Sequence, residues 1–431
     1  MTVLAFVIGV VLLVIGLAVS IALHELGHLL PAKKFGVRVG QYMIGFGPTL
    51  WSRRFGETEY GVKAIPLGGY ISMAGMYPPA PDKEGRAGGG LFATMVQDAR
   101  VANAETLEGV GTKRAFYELP VWQRIIVMLG GPIMNLLLAI VLFGVVVTGI
   151  GVQTATTTVA EVSACMLPAS ADTAECGPDD PASPAAAAGL HPGDVLVSVG
   201  GTPVATFTEA AAIVQDAPGQ TLDVVVERDG RQQTLRMTPA LAERDVLGDD
   251  GQITTAEVGF VGMTATVDYV RQPIWDGPAI AFERTGQVIG IMSQLPVRVY
   301  ETAVDLVTGQ ERDPNGPLSI VGAGRIAGEV AAIDAPVLNR ASAIIELLAA
   351  LNIALFVFNL IPLLPLDGGH VIVALWEGIK RTWATLLRRP QPRPVDATKL
   401  VPLTFAVVIA LIVMGGVLIL ADVFNPVALF G

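Results

Sequence analysis

The chain has 431 residues, of which 52% are hydrophobic and only 16% charged, with a formal net charge of −11. That composition is too apolar for an ordinary soluble globule and fits an integral membrane protein carrying a soluble part. The acidic balance argues against a nucleic-acid partner, since a polyanion would be repelled.

In chain order, the first apolar run covers 3–23 and leads directly into His24-Glu25-Leu26-Gly27-His28. It lacks the basic start of a signal peptide, and cleavage at its end would destroy that pentamer, so it is expected to be a retained helix. Residues four apart share one helix face, so His24 and His28 can hold one Zn²⁺ with Glu25 beside them as general base. This is the H-E-x-x-H pattern of metalloproteases; the bland alternative is a helix end with two solvated imidazoles. Three further runs, 125–150, 341–364 and 400–421, reach the ~20 residues that a bilayer crossing requires.

Charge sets the expected orientation. Loop 31–124 carries 12 Lys/Arg against 8 Asp/Glu, and loop 365–399 carries 6 against 3, whereas 151–340 carries 10 Arg against 25 acids. Basic residues near helix ends mark the cytoplasmic side, so both termini and the long acidic stretch face outward and the zinc site lies towards the cytosol. Both cysteines, Cys165 and Cys176, fall in the outside part, where a disulfide is expected to form.

Between the first two spans, 35–76 alternates apolar and polar residues around a polar turn and predicts a β-hairpin. Its edge, with Gly68 and Gly69, is a candidate binding strand for an unfolded substrate segment. The following stretch, rich in Gly, Ala and charge, reads as a flexible cytosolic insertion. Near the start of the second span, Gly130-Gly131-Pro132 permits close helix approach, and Asn135 is a polar side chain placed to bond across to a neighbouring helix or to reach substrate.

Outside, strand-like runs are separated by turns. Ala185 to Leu196, a small-residue helical turn followed by Gly-Leu-x-x-Gly-Asp and an apolar strand, resembles the core of a PDZ domain. Gly259-Phe260-Val261-Gly262 resembles the loop with which such domains grip the carboxyl-terminal end of a peptide through backbone N–H groups. The next segment has apolar residues at helical intervals with a charged face and predicts an interfacial amphipathic region.

At the end of the third span stands Asn359-x-x-Pro362-x-x-Pro365-x-Asp367-Gly368-Gly369-His370. A carboxylate so close to a span needs a partner. The first and third spans run in the same direction, so their inner ends bring His24, His28 and Asp367 to one depth, leaving a fourth zinc position open. His370 competes with Asp367 as third ligand, and Glu57 and Glu59 are discounted because they lie in or beside the hairpin turn.

These paired motifs resemble the site-2 protease family of intramembrane zinc metalloproteases. Gly131-Pro132-x-x-Asn135 and one intervening PDZ domain are similar to its bacterial regulator-of-sigma-E-type, actinobacterial-like members. The resemblance implies one Zn²⁺ per chain on His24, His28 and Asp367, Glu25 as general base, and Asn359 positioning substrate or stabilising the oxyanion. It further implies residence in the bacterial plasma membrane and single-span substrates such as anti-sigma factors and signal-peptide remnants. Prior trimming by a site-1-type protease is expected, because a bulky outside domain would clash with the PDZ domain. Rival readings are an inactive PDZ scaffold, another membrane H-E-x-x-H protease and a zinc transporter, which would need an ionisable path along the spans.

The expected fold is therefore a multi-span α-helical membrane protein with four transmembrane helices, a membrane-associated β-hairpin and an inserted extracytoplasmic α+β PDZ domain. Its expected segments are helix 1 with the zinc motif (1–32), hairpin (33–76), flexible insertion (77–120), helix 2 (121–151), PDZ domain (152–270), interfacial amphipathic region (271–335), helix 3 with the third ligand (336–370), cytosolic basic loop (371–399) and helix 4 (400–424).

Overall fold

The computed structural model describes residues 2–79, 91–107, 113–166, 176–177, 180–247, 253–313 and 316–427. The chain divides into two compact units, Met1–Gly149 with Pro273–Gly431, and Ile150–Gln272.

The first unit opens with α1 (Thr2–Lys34), whose basic last turn, Lys33 and Lys34, complements the helix dipole. Strands β1 (Val39–Phe55) and β2 (Thr58–Met73) form an antiparallel hairpin with several register shifts, turning at Gly56. Its root is tied to α1, because Tyr42 Oη donates to the Ala22 carbonyl at 2.7 Å. Burial pushes that phenol up to about 12, so it stays a donor at neutral pH.

Helix α2 (Leu91–Leu107) and a 3₁₀ turn at Phe116–Glu118 precede α3 (Val121–Gly144), which continues as a π-helical turn, Val145–Ile150. The expected flexible insertion is thus corrected over 91–107. The order comes from partners distant in sequence. Arg100 Nη2 donates to Asp396 Oδ2 at 2.9 Å, and Asn103 both accepts from the Tyr77 N–H and donates to its carbonyl.

In the second unit, β3 (Val152–Val162), α4 (Pro184–Ala187), β4 (Val195–Val199), β5 (Thr202–Pro203) and α5 (Phe207–Gln215) are followed by β6 (Leu222–Arg228) and β7 (Arg231–Met237). Then come β8 (Ala240–Leu247), β9 (Ile253–Phe260) and β10 (Met263–Val270). The main sheet runs β10-β3-β4-β6-β7 with β5 on β4, and β8 pairs with β9 separately. Strand residues Val159, Leu196, Val199, Val224 and Val226 meet Ala210 and Val214 of α5 in one apolar core, with a register shift in β4 between Leu196 and Ser198. The buried carboxylate of Asp194 takes two 2.6 Å bonds from Arg228, which also holds the Gly189 carbonyl. Cys165 and Cys176 are joined by a disulfide.

The chain returns to the first unit with α6 (Asp276–Thr308), α7 (Ile320–Ala332), α8 (Val337–Asn359), α9 (Asp367–Leu386) and α10 (Val401–Phe424). Among the described residues, four helical segments are long and apolar enough to cross a membrane: Val3–Lys34, Val121–Ile150, Val337–Asn359 and Ala397–Phe424. Their outer faces leave Val7, Ile8, Val11, Ile15, Ile409, Ile412 and Val413 exposed, which only lipid makes favourable.

Within the expected interfacial region 271–335, helix α7 packs its small face against α1, with Gly9 against Ala327 and Phe6 against Gly328. Only side chains that small allow such an approach. The basic loop expected over 371–399 is helical as far as Leu386. Its inner face is pinned by Glu377, which accepts from Arg124 of α3 at 3.0 and 2.7 Å.

Candidate metal centre

Three elements converge on the site. Helix α1 presents His24, Glu25 and His28 from successive turns. Helix α3 crosses it where Gly27 and Gly130 meet backbone to backbone, a contact that no Cβ would permit. The third element is the turn after α8. The chain leaves the helix at Asn359, passes through Leu360–Leu366 and re-enters α9 at Asp367. Gly368 and Gly369 make that tight reversal possible. A Cβ on Gly369 would lie 2.5 Å from the Leu364 nitrogen, and one on Gly368 2.5 Å from the Ile361 carbonyl oxygen.

The donor atoms form a small triangle. His24 Nε2 and His28 Nε2 are 3.2 Å apart, and Asp367 Oδ2 lies 3.4 Å from each. Four-coordinate zinc with bonds of about 2.0–2.1 Å sets its ligand atoms about 3.3–3.4 Å apart, so these atoms fit a tetrahedral edge set. Their chemistry fits as well. His28 Nδ1 donates to the Val127 carbonyl at 2.8 Å, which leaves Nε2 with its lone pair. Asp367 Oδ2 is buried with no hydrogen-bond partner, an arrangement that is costly unless a cation faces it. Among the described residues, His24, His28 and Asp367 are the group arranged to hold a metal ion.

The surroundings hold the first imidazole too. Asn135 Nδ2 sits 3.2 Å from His24 Nδ1, and Asn135 Oδ1 is buried without a partner. Rotating that amide by 180° lets Oδ1 accept a His24 Nδ1–H, which leaves Nε2 of His24 free to ligate. Gly131 supplies the space, since a Cβ there would run into the Nε2 atoms of both imidazoles. Glu25 is buried, with its carboxylate within electrostatic reach of His24, His28 and Asp367. Gly69 of β2 lies against its stem, where an added Cβ would be 2.9 Å from Glu25 Cγ.

A family model described as Peptidase family M50 matches residues 12–387. The chain belongs to that family. As an M50 peptidase, a site-2 protease, it is a membrane-embedded zinc metalloprotease. It is 35% identical to the zinc metalloprotease Rip1 of Mycobacterium tuberculosis over 437 residues, covering 99% of each protein. It is 34% identical to the Rip1 of Mycolicibacterium smegmatis, again over 99% of each. With the metalloprotease MmpA of Caulobacter vibrioides it shares 30% identity over 87% of this chain and 88% of the relative.

The other candidate residues of this M50 peptidase fall differently. Asn359 donates its amide to the Leu355 carbonyl of its own helix at 3.0 Å, not into the triangle. Asn135 turns to His24 instead of an open substrate surface. His370 lies outside the donor triangle, its ring 6.4 Å from that of Tyr77. Glu59 accepts from Gln41, and Glu57 pairs with Lys113. In the second unit, Gly259 and Phe260 pair with β8, the Val261 side chain is a core residue, and Gly262 uses a positive φ of 78° beside Ser183. The Val261 carbonyl accepts from the Ala185 N–H and that of Gly262 from the Ser163 N–H.

Two contributors had no signal in the sequence. The Val127 carbonyl that orients His28 is a main-chain atom and could belong to any residue. The Arg124–Glu377 pair joins positions more than two hundred residues apart. Gly131 was legible only as a helix-packing glycine, not as the gap into which two imidazoles fit.

Proposed function

We propose that this peptidase hydrolyses bonds in or near the transmembrane segment of single-span membrane proteins, with His24, His28 and Asp367 holding one Zn²⁺ and Glu25 as general base. The observation that carries the reading is the triangle of lone-pair atoms at tetrahedral spacing, drawn from two segments more than three hundred residues apart. When bound there, Zn²⁺ supplies Lewis-acid polarisation of the scissile carbonyl and acidifies water. The Glu25 carboxylate takes a proton from the attacking water and delivers it to the leaving amine. Its burial keeps competing solvent away, and the glycine face of β2 at Gly68 and Gly69 leaves room for an extended substrate backbone beside it. Asn359 sits at the end of α8; swinging its amide away from Leu355 would free a donor for the substrate carbonyl.

The basic loops support a reading with this centre on the cytosolic side of the plasma membrane and both termini outside. The unit Ile150–Gln272 is then an extracytoplasmic PDZ domain. Its disulfide suits an oxidising compartment, and its short helix at Pro184–Ala187 before an apolar strand suits the PDZ pattern. Substrates of this topology include anti-sigma factors and signal-peptide remnants, trimmed beforehand by a site-1-type protease. An inactive scaffold would not require the oriented imidazoles or an unpartnered buried carboxylate oxygen.

The test is metal content and cleavage of a single-span anti-sigma substrate, measured together on wild type and Asp367→Ala in detergent. Wild type should carry about one zinc per chain and cut, while the variant loses both. Zinc and cleavage retained by the variant would remove Asp367 from the ligand set. A wild type with neither would move the scaffold reading ahead.

A further inference from the structure

Helix α9 carries a face that nothing else among the described residues covers. Ile372, Leu375, Trp376, Ile379, Trp383 and Leu386 recur at three- and four-residue spacing and are all exposed, from 43% at Leu375 to 73% at Leu386. The opposite face, with Ala374, Glu377 and Ala384, is buried against the protein. The helix follows one membrane-spanning segment by seven residues and precedes the next, so it lies at the membrane boundary. Its 20 residues do not qualify as a span themselves, because the charged Glu377, Lys380 and Arg381 interrupt the apolar pattern.

The charge is one-sided. The two acids of α9 are both turned inward, Asp367 to the metal centre and Glu377 to Arg124 and Arg381. Lys380, Arg388, Arg389 and Arg393 are exposed, and among the described residues no carboxylate pairs with them. Lys380 Nζ sits 5.7 Å from the Trp376 ring centroid, at the border between the apolar stripe and the cationic edge. Tryptophan at that border and basic residues beside it are the features of a helix lying in a headgroup layer.

We propose that α9 lies in the cytoplasmic membrane interface and binds anionic phospholipid headgroups through Lys380, Arg388, Arg389 and Arg393. This rests on the cytosolic placement of 365–399 above but not on the protease chemistry. Charge complementarity selects the occupant. An isologous contact with a second copy would bring the same unpaired cations together, whereas an anionic leaflet neutralises them while its acyl chains cover the stripe.

The experiment uses the full chain in vesicles of equal parts phosphatidylcholine and phosphatidylglycerol, with one or the other lipid brominated to quench tryptophan. The W376F/W383F variant isolates the α9 signal from the other tryptophans. Brominated phosphatidylglycerol should be enriched at Trp376 and Trp383 by about five-fold, the gain from one basic side chain at an anionic surface. K380Q/R388Q/R389Q/R393Q should abolish that preference with zinc content unchanged. Equal quenching by the two lipids, or a preference that survives the quadruple variant, overturns the proposal. Shielding of both tryptophans from either lipid, with α9 cross-linking to another protein, overturns it equally. The quenching needs neither bound zinc nor turnover, so a failed cleavage assay leaves this test intact.

Discussion

Gly131→Ala is the smallest change that strikes the metal centre without touching a ligand. Its added methyl would fall on His28 Nε2 and lie 2.8 Å from both Cε1 and Nε2 of His24. Non-bonded contacts to carbon settle near 3.5–4.0 Å, so the His24 ring must retreat by about 0.7–1.2 Å and the His28 ring by about 1.3–1.8 Å, or α3 must shift instead. Helix α3 has little freedom to move as a body, since Gly130 rests on the Gly27 main chain and Val127 holds His28. Metal–ligand distances tolerate only about 0.2 Å. Zinc affinity should therefore fall about 10–100-fold, as when an orienting partner is lost. The corresponding drop in kcat/KM is about 100-fold, or ~2.7 kcal/mol of transition-state stabilisation. The assay is zinc content by elemental analysis, under a chelator titration, alongside cleavage of a single-span substrate. Gly144→Ala, on the same helix with nothing within 4 Å of the new Cβ, is the control and should behave as wild type. Wild-type zinc affinity and cleavage in Gly131→Ala would refute the tight-cradle reasoning.

Three further outcomes follow from the same structure. Glu25→Gln should leave a folded, zinc-containing protein whose cleavage falls by about 10²–10⁴-fold, the usual range for a lost general base; retained turnover removes Glu25 from the mechanism. Asn135→Ala should lower zinc affinity by about 10–100-fold with the ligands untouched, read by competition with a chelator; unchanged affinity would show that His24 is oriented by something else. In the unit Ile150–Gln272, Arg228 holds the Asp194 carboxyl below the usual carboxylate range, so its contribution is full above about pH 4 and is lost as pH falls through the depressed value. Arg228→Ala removes the partner of the Asp194 carboxylate and should lower stability at neutral pH while flattening the acid limb, measured by hydrogen exchange in that unit; an unaltered acid limb would dismiss the pair as its source.

The sites and the bundle differ in how much of them is local. The H-E-x-x-H spacing, the four apolar runs and the basic loops are one-dimensional patterns. Helical periodicity alone places His24 and His28 on one face, and parallel span direction alone brings Asp367 to their depth. Helix α2 reads as flexible in the sequence because its stabilising partners, Tyr77, Asp396 and Thr398, include residues about three hundred positions away. The small residues of helix α7 carry no packing signal in the sequence, because they score neither strongly apolar nor polar. Their role, letting Gly9 and Phe6 of α1 approach, exists only once α1 is beside them.

By itself the sequence determined that this is a membrane zinc metalloprotease, because composition and the spacing of His24, Glu25 and His28 along one helix carry that much. Only the tertiary structure decided how the ligands are held. The Val127 carbonyl on His28, the Asn135 amide on His24 and the empty Cβ position at Gly131 all arise from α3 crossing α1 at one depth and angle. Main-chain acceptors and missing atoms carry no residue-type signal, so no pattern along the chain can announce them.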